Sequence, residues 1–195
     1  MDHSLDDFPF SEARFLFRMS PQLSTLVHGF KYRFLRWHIR FLIGYMHYRS
    51  DLLAFIRTYD GLVPVPIHPI RRRERGYNQA EVMAEELSRF TGLPVLGRSL
   101  YRRRSTQSQT KLSRQSRSKN LNEAFSCQNP EPVIGKRLLV VDDVFTTGAT
   151  VAQCAALLLR SGCLSVGVFA LAKVEVSGAD DDFGLEMEAV SGYLA

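Results

Sequence analysis

Asp142 and Asp143 stand side by side at the end of the apolar run Leu138 to Val141, and Thr146, Thr147, Gly148, Ala149 and Thr150 follow after only Val144 and Phe145. Adjacent carboxylates accept hydrogen bonds from vicinal sugar hydroxyls and offer oxygen ligands to a hard cation such as Mg2+. The small, hydroxyl-bearing residues leave backbone N–H groups unobstructed, and a helix opening there would turn the positive end of its dipole on a bound anion. A diol-binding acid pair beside a phosphate loop describes a sugar-phosphate site. An isolated Asp-Asp pair more often only ends a strand and caps a turn; the flanking strand, loop and helix favour the ligand-binding reading here.

These residues need a frame. Four apolar residues are too few to span a membrane and suit a strand covered on both faces, as in a parallel sheet. Asp142 and Asp143 are then expected at its carboxyl end, where open α/β sheets bind ligands. Val151, Ala155, Leu158 and Leu159 recur at helical spacing, with Gly162 as a stop, and Leu164 to Ala172 reads as a further strand reached by a right-handed crossover.

A second unit precedes this one. In Leu62 to His68, LVPVPIH, alternating valines favour a strand while Pro64 and Pro66 cannot donate to a ladder, so a short strand ending in a rigid turn is expected. Pro69 to Gly76, PIRRRERG, reads as a basic loop. Asn78 then caps a helix, with Glu81 three positions on, continued by Val82, Met83, Leu87 and Phe90 and stopped at Thr91-Gly92. Arg71, Arg72, Arg73 and Arg75 can each make charge-assisted bonds to phosphate oxygens, although not all four should reach a ligand. The alternative is a solvated basic loop.

Charge is distributed to match. Residues 1–63 carry eight Lys and Arg against six Asp and Glu, residues 64–120 carry 13 against 4, and residues 121–195 carry 4 against 10. A basic middle third suits a polyanion, either a pyrophosphate or a nucleic-acid backbone.

The rest of the chain is less informative. Residues 1–20 show no clean period, whereas apolar residues from Gln22 to Arg57 recur at three- and four-residue steps, as on helices packed on a core and interrupted near Gly29 and Gly44. His28, His38 and His47 are too far apart for one helical turn to bring two together on a metal, and Cys127, Cys154 and Cys163 form neither a disulfide framework nor a zinc site. Tyr101 to Asn120 is rich in Ser, Gln, Arg and Lys and reads as a long flexible loop that can close over a site; Lys111 and Arg114 are its candidates to reach a pyrophosphate. Residues 174–195 form an acidic tail. With 195 residues, 45% of them hydrophobic, the chain fits one domain with a sizeable core. The run Phe41 to Met46 is too short to span a bilayer and no signal peptide precedes it, so a cytoplasmic protein is expected.

LLVVDDVFTTGAT, Leu138 to Thr150, resembles the phosphoribosyl pyrophosphate (PRPP) motif of type I phosphoribosyltransferases, with Phe145 where that pattern usually has a smaller aliphatic residue. Being apolar, Phe145 should face inward and alter packing more than chemistry. The succession VPVPIHP, RERGYNQAE, a basic loop with Gln109 and Arg117, NLNEAF and VVDDVFTTGAT is similar to the ComF family of competence-associated phosphoribosyltransferase-like proteins, over about residues 22–172. Val27 to Tyr32, VHGFKY, also looks like that family's N-terminal helix. Many members begin with a four-cysteine zinc ribbon, and this chain has no cysteine before Cys127.

The resemblance implies an α/β, type I phosphoribosyltransferase fold: a mostly parallel sheet with helices on both faces, a helical hood over residues 1–60, a core over 61–173 and the tail over 174–195. It implies PRPP as ligand with Mg2+ as cofactor. Asp142 and Asp143 would bind the ribose hydroxyls directly or through Mg2+ and stabilise positive charge at the sugar, both ionised. Thr146, Thr147, Gly148, Ala149 and Thr150 would hold the 5'-phosphate, and His68, Arg75, Gly76 and Asn78 the pyrophosphate. The hood would hold an unknown nitrogenous acceptor. Three classes stay open: an enzyme transferring phosphoribose, a non-catalytic PRPP-binding or DNA-uptake protein, and an unrelated basic nucleic-acid binder. Single-stranded DNA, DNA-uptake proteins and a second copy of the chain are the partners to consider.

Overall fold

In the computed structural model, which describes residues 8–29, 36–102 and 124–174, the elements run in the order β1 (Glu12–Arg18), α1 (Pro21–Gly29), α2 (Arg36–Gly44), a 3-10 turn (Tyr45–Tyr48), α3 (Ser50–Ile56), β2 (Gly61–Pro64), α4 (Pro69–Arg75) and α5 (Gln79–Thr91). The two-residue strands β3 (Tyr101–Arg102) and β4 (Phe125–Ser126) follow, then β5 (Arg137–Phe145), α6 (Ala149–Arg160) and β6 (Ser165–Lys173). Four strands form one parallel sheet in the order β1-β6-β5-β2, and β3 and β4 pair antiparallel beside it.

The apolar run at the centre of β5 explains the layering. Leu138 to Val141 are fully buried, and alternate side chains enter opposite cores. Leu139 and Val141 pack with α5, through Val82, Met83 and Leu87, and with the hood residues Leu42 and Ile43. Leu138 and Val140 pack with Val151, Cys154 and Leu158 of α6. Each such Leu or Val contributes roughly 1.5–3 kcal/mol by leaving water. Charge also ties α2 to α5: Glu86 of α5, almost fully buried, forms an ion pair with Arg40 of α2 at 2.7 Å and accepts a hydrogen bond from Arg89 at 3.0 Å.

Three expectations change. The unpatterned N-terminus contains a strand: β1, grouped by sequence with the hood, pairs with β6 along the sheet edge, where Leu16 and Phe17 are both buried, and a strand covered on both faces shows no period of two. β5 does not end at Val141 but continues through Asp142 and Asp143 to Phe145, because β6 runs beside it as far as Lys173. PIRRRERG is a short helix and not a loop: Pro69 occupies its first turn, His68 caps it, and Gly76 closes it at φ +79°. The helices proposed around Asn78 and Val151 and the strand after Gly162 form as expected, and α1 and α2 end at Gly29 and Gly44. Among the described residues no helix is long and apolar enough to cross a membrane. Lys111 and Arg114, the rest of residues 103–123, Phe30 to Tyr32 and the acidic tail beyond Val174 lie outside the described residues.

Candidate functional site

The sheet creates the site by letting one strand stop early. β2 pairs with β5 only as far as Pro64 opposite Val141, after which Val65 donates once more to the Val141 carbonyl and the chain turns away through Pro66. Beyond that point no strand among the described residues pairs with β5 on its β2 side. Each acid takes the backbone N–H of the next residue: Asp142 Oδ1 accepts from the Asp143 N–H and Asp143 Oδ1 from the Val144 N–H, each at 2.9 Å. One oxygen of each carboxylate is thereby fixed, and both side chains line a cleft of about 600 Å3.

Three elements face the acids across this cleft. Thr146 and Thr150 line it at the start of α6, where Gly148, at φ +72°, occupies the cap position and Thr147 Oγ1 accepts from the Ala149 N–H at 3.5 Å. The loop is therefore Thr146 to Gly148, and Ala149 and Thr150 already belong to the helix whose first N–H groups have no partner within it. Arg71 and Arg75, four residues apart on α4, point to the cleft together, whereas Arg72 turns away to Glu81 at 2.7 Å. That pair also takes Glu81 out of the capping box. Arg102 of β3 is the third arginine lining the cleft, its guanidinium 5.4 Å from the centre of the Phe125 ring. The hood adds Met19, Ser24, Val27 and His28.

The remaining residues of the pyrophosphate set hold the backbone. Asn78, 1% exposed, accepts from the Ala80 N–H and donates to the Val65 carbonyl, joining the end of β2 to the start of α5 while lining the cleft. His68 Nδ1 accepts from the Ile70 N–H, and the Gly76 N–H is taken by the Arg72 carbonyl.

Burial, then the charge of Asp143, pushes the Asp142 carboxyl well above the usual carboxylate range, and the Arg102 guanidinium opposes them. A cation or a set of sugar hydroxyl donors beside Asp142 would act in the opposite direction and favour the ionised pair expected from the sequence. Among the described residues no three His, Cys, Asp or Glu side chains gather as a metal site. The acid pair offers the hard oxygen donors that Mg2+ takes, with the remaining positions left to ligand and water oxygens.

Of the residues the sequence singled out, Asp142, Asp143, Thr146, Thr150, Arg75 and Asn78 line the cleft, whereas Thr147, Gly148, Ala149, His68 and Gly76 do not. Sequence reasoning missed Arg102, which stands at the edge of a low-complexity run and reaches the cleft only through the β3–β4 pairing. Arg71 was legible: Pro69 and Gly76 bracket a helical turn, and Arg71 and Arg75 then share a face.

Residues 64–187 match the phosphoribosyl transferase domain family. The DNA utilization protein YhgH of Salmonella typhimurium is 35% identical over 158 residues, covering 79% of this chain and 68% of that protein. Competence protein F of Haemophilus influenzae is 34% identical over 157 residues, covering 77% and 68%. Among solved structures, a purine phosphoribosyltransferase from Pyrococcus horikoshii aligns over 76% of this chain and 82% of that one, with 16% identity and a TM-score of 0.45. With the parallel sheet, its flanking helices and the matched domain in agreement, the chain has the type I phosphoribosyltransferase fold and belongs to the phosphoribosyltransferase-domain family of competence protein F and DNA utilization protein YhgH.

Proposed function

We propose that the cleft binds PRPP with Mg2+ and transfers its phosphoribosyl group to a nitrogenous acceptor, releasing pyrophosphate. The observation that carries this reading is the meeting of Asp142 and Asp143, the Thr146 to Thr150 turn and three arginines, Arg71, Arg75 and Arg102, in one cleft at the end of a parallel sheet. Pyrophosphate leaves C1 with the bonding electron pair, the acceptor nitrogen forms the new C–N bond and loses a proton, and positive charge grows on the ribose between these events. Asp142 and Asp143 hold the ribose hydroxyls and stabilise that charge. The threonines and the first turn of α6 hold the 5'-phosphate, while Arg71, Arg75 and Arg102 receive the leaving group. His68, Gly76 and Asn78 fix the turn that presents the arginines. Mg2+ would be held between the acid pair and ligand oxygens, supplying charge neutralisation. The hood wall of Met19, Ser24, Val27 and His28 is the acceptor side.

The names of the relatives, competence protein and DNA utilization protein, favour a second reading, in which the cleft binds PRPP without transfer and the protein serves DNA uptake. Calorimetry with Mg-PRPP separates the readings in two steps. The intact chain should bind and the Asp142→Ala plus Asp143→Ala variant should not; absence of binding by the intact chain removes both readings. Pyrophosphate release across a panel of bases and amines then supports transfer, and binding with no release by any of them supports the accessory role.

A further inference from the structure

Phe145 stands directly before the Thr146 to Gly148 turn, and its surroundings are aromatic. Its ring packs edge-on against Phe15 at 5.1 Å and against Phe10 at 6.4 Å between centroids, and Phe10 stacks on Phe8 at 5.0 Å. This group lies under Gly148. A Cβ added to Gly148 would come within 2.8 Å of Phe145 Cζ and 3.1 Å of the Phe8 ring, at a φ of +72° that side chains rarely adopt. Ordinarily the end of a side chain can move aside; Phe145 is almost fully buried, with Phe10 and Phe15 against it, so its ring cannot retreat. Its backbone is pinned as well, since its carbonyl accepts from the Val174 N–H at 2.9 Å and its register partner is Lys173.

We infer that Phe145 and Phe8 are positioning residues for the phosphate turn: their rings form a floor on which Gly148 rests, and the floor sets the direction in which the first N–H groups of α6 point. Phe8 and Phe10 precede β1 in the chain, so a segment with no residue among those lining the cleft shapes its anion-binding end. A turn that presents N–H groups to an anion works by preorganisation, and a displacement of about 1 Å, shared by several donors, weakens every bond together. This inference rests on the proposed role of the turn in holding a 5'-phosphate.

Calorimetry on the full chain with two ligands tests it: ribose 5-phosphate, which reports on the turn, and Mg-pyrophosphate, which reports on the arginines. Phe8→Leu and Phe145→Leu should each weaken ribose 5-phosphate binding by about tenfold and leave Mg-pyrophosphate binding unchanged. Gly148→Ala should lose less affinity in the Phe145→Leu background than in the parent, because the smaller side chain gives the new methyl group room. Phe8→Leu removes only the outer ring, so it carries the test if Phe145→Leu does not fold. Equal loss for both ligands, or no loss for either, overturns the aromatic floor and leaves the proposed function standing. No ribose 5-phosphate binding by the parent overturns the floor together with the phosphate assignment, while retained Mg-pyrophosphate binding there would still support the arginine side.

Discussion

Asp142 shows how one position can oppose stability and serve a site. Burial and Asp143 raise its carboxyl above the usual range, so between the ordinary and the raised value the folded chain holds a proton that the unfolded chain has lost. Stability then falls as pH rises through that window, the reverse of a salt-bridged carboxylate. Asp142→Asn, neutral at every pH, should therefore raise the unfolding midpoint at neutral pH while abolishing Mg-PRPP binding. Urea unfolding from about pH 4 to about pH 8 checks this, with the variant flatter across the range than the parent. An unchanged slope would mean that Asp142 is not the group responsible. At this scale the sequence showed that the acids were paired and followed a strand. It could not show that β2 leaves β5 at Val141, or that each acid accepts from the backbone N–H of the next residue.

At the scale of elements, the β5–α6–β6 unit was legible because its signals are local: an apolar run, a small-residue turn, a helical period and Gly162. The register of its strands has a less local determinant. Gly167 of β6 lies against Tyr59, and a Cβ there would collide with the Tyr59 hydroxyl oxygen and ring. Tyr59 is buried and Gly167 is paired on both sides, with Leu139 of β5 and Glu12 of β1, so neither can shift freely. Gly167→Ala should cost about 2–3 kcal/mol in chemical unfolding, and adding Tyr59→Phe should recover part of that loss by removing the closest atom. A cost that Tyr59→Phe leaves unchanged would place the strain elsewhere. β1 and α4 were misread for opposite reasons. β1 has no alternation because its neighbours cover both faces, and α4 was hidden by four arginines whose charge suggested a loop, although the Pro69 and Gly76 bracket encodes a helix.

For the whole molecule, the cleft is a product of parts far apart in the chain. The hood's α1, the α4 turn, β3 and the end of β5 each contribute a wall, and ligand binding should tie them together. Mg-PRPP at about 100 times its dissociation constant should stabilise the intact protein by about 2.7 kcal/mol. A thermal shift assay should show a rise of roughly 5–10 °C, absent when Asp142 and Asp143 are both Ala. The same shift in that double variant would move the binding site away from the acid pair.

The sequence by itself determined the parallel α/β class, the acid pair beside a small-residue turn and the family, because each is written in contiguous residues whose period or spacing survives without tertiary contacts. Tertiary structure decided which arginines face the acids, that Arg102 joins them, that an unpatterned N-terminal strand completes the sheet, and that Phe8 and Phe145 lie beneath Gly148. Those facts depend on where strands stop and which faces meet. Such contacts join residues far apart in the chain, and no local pattern of charge or hydrophobicity records them.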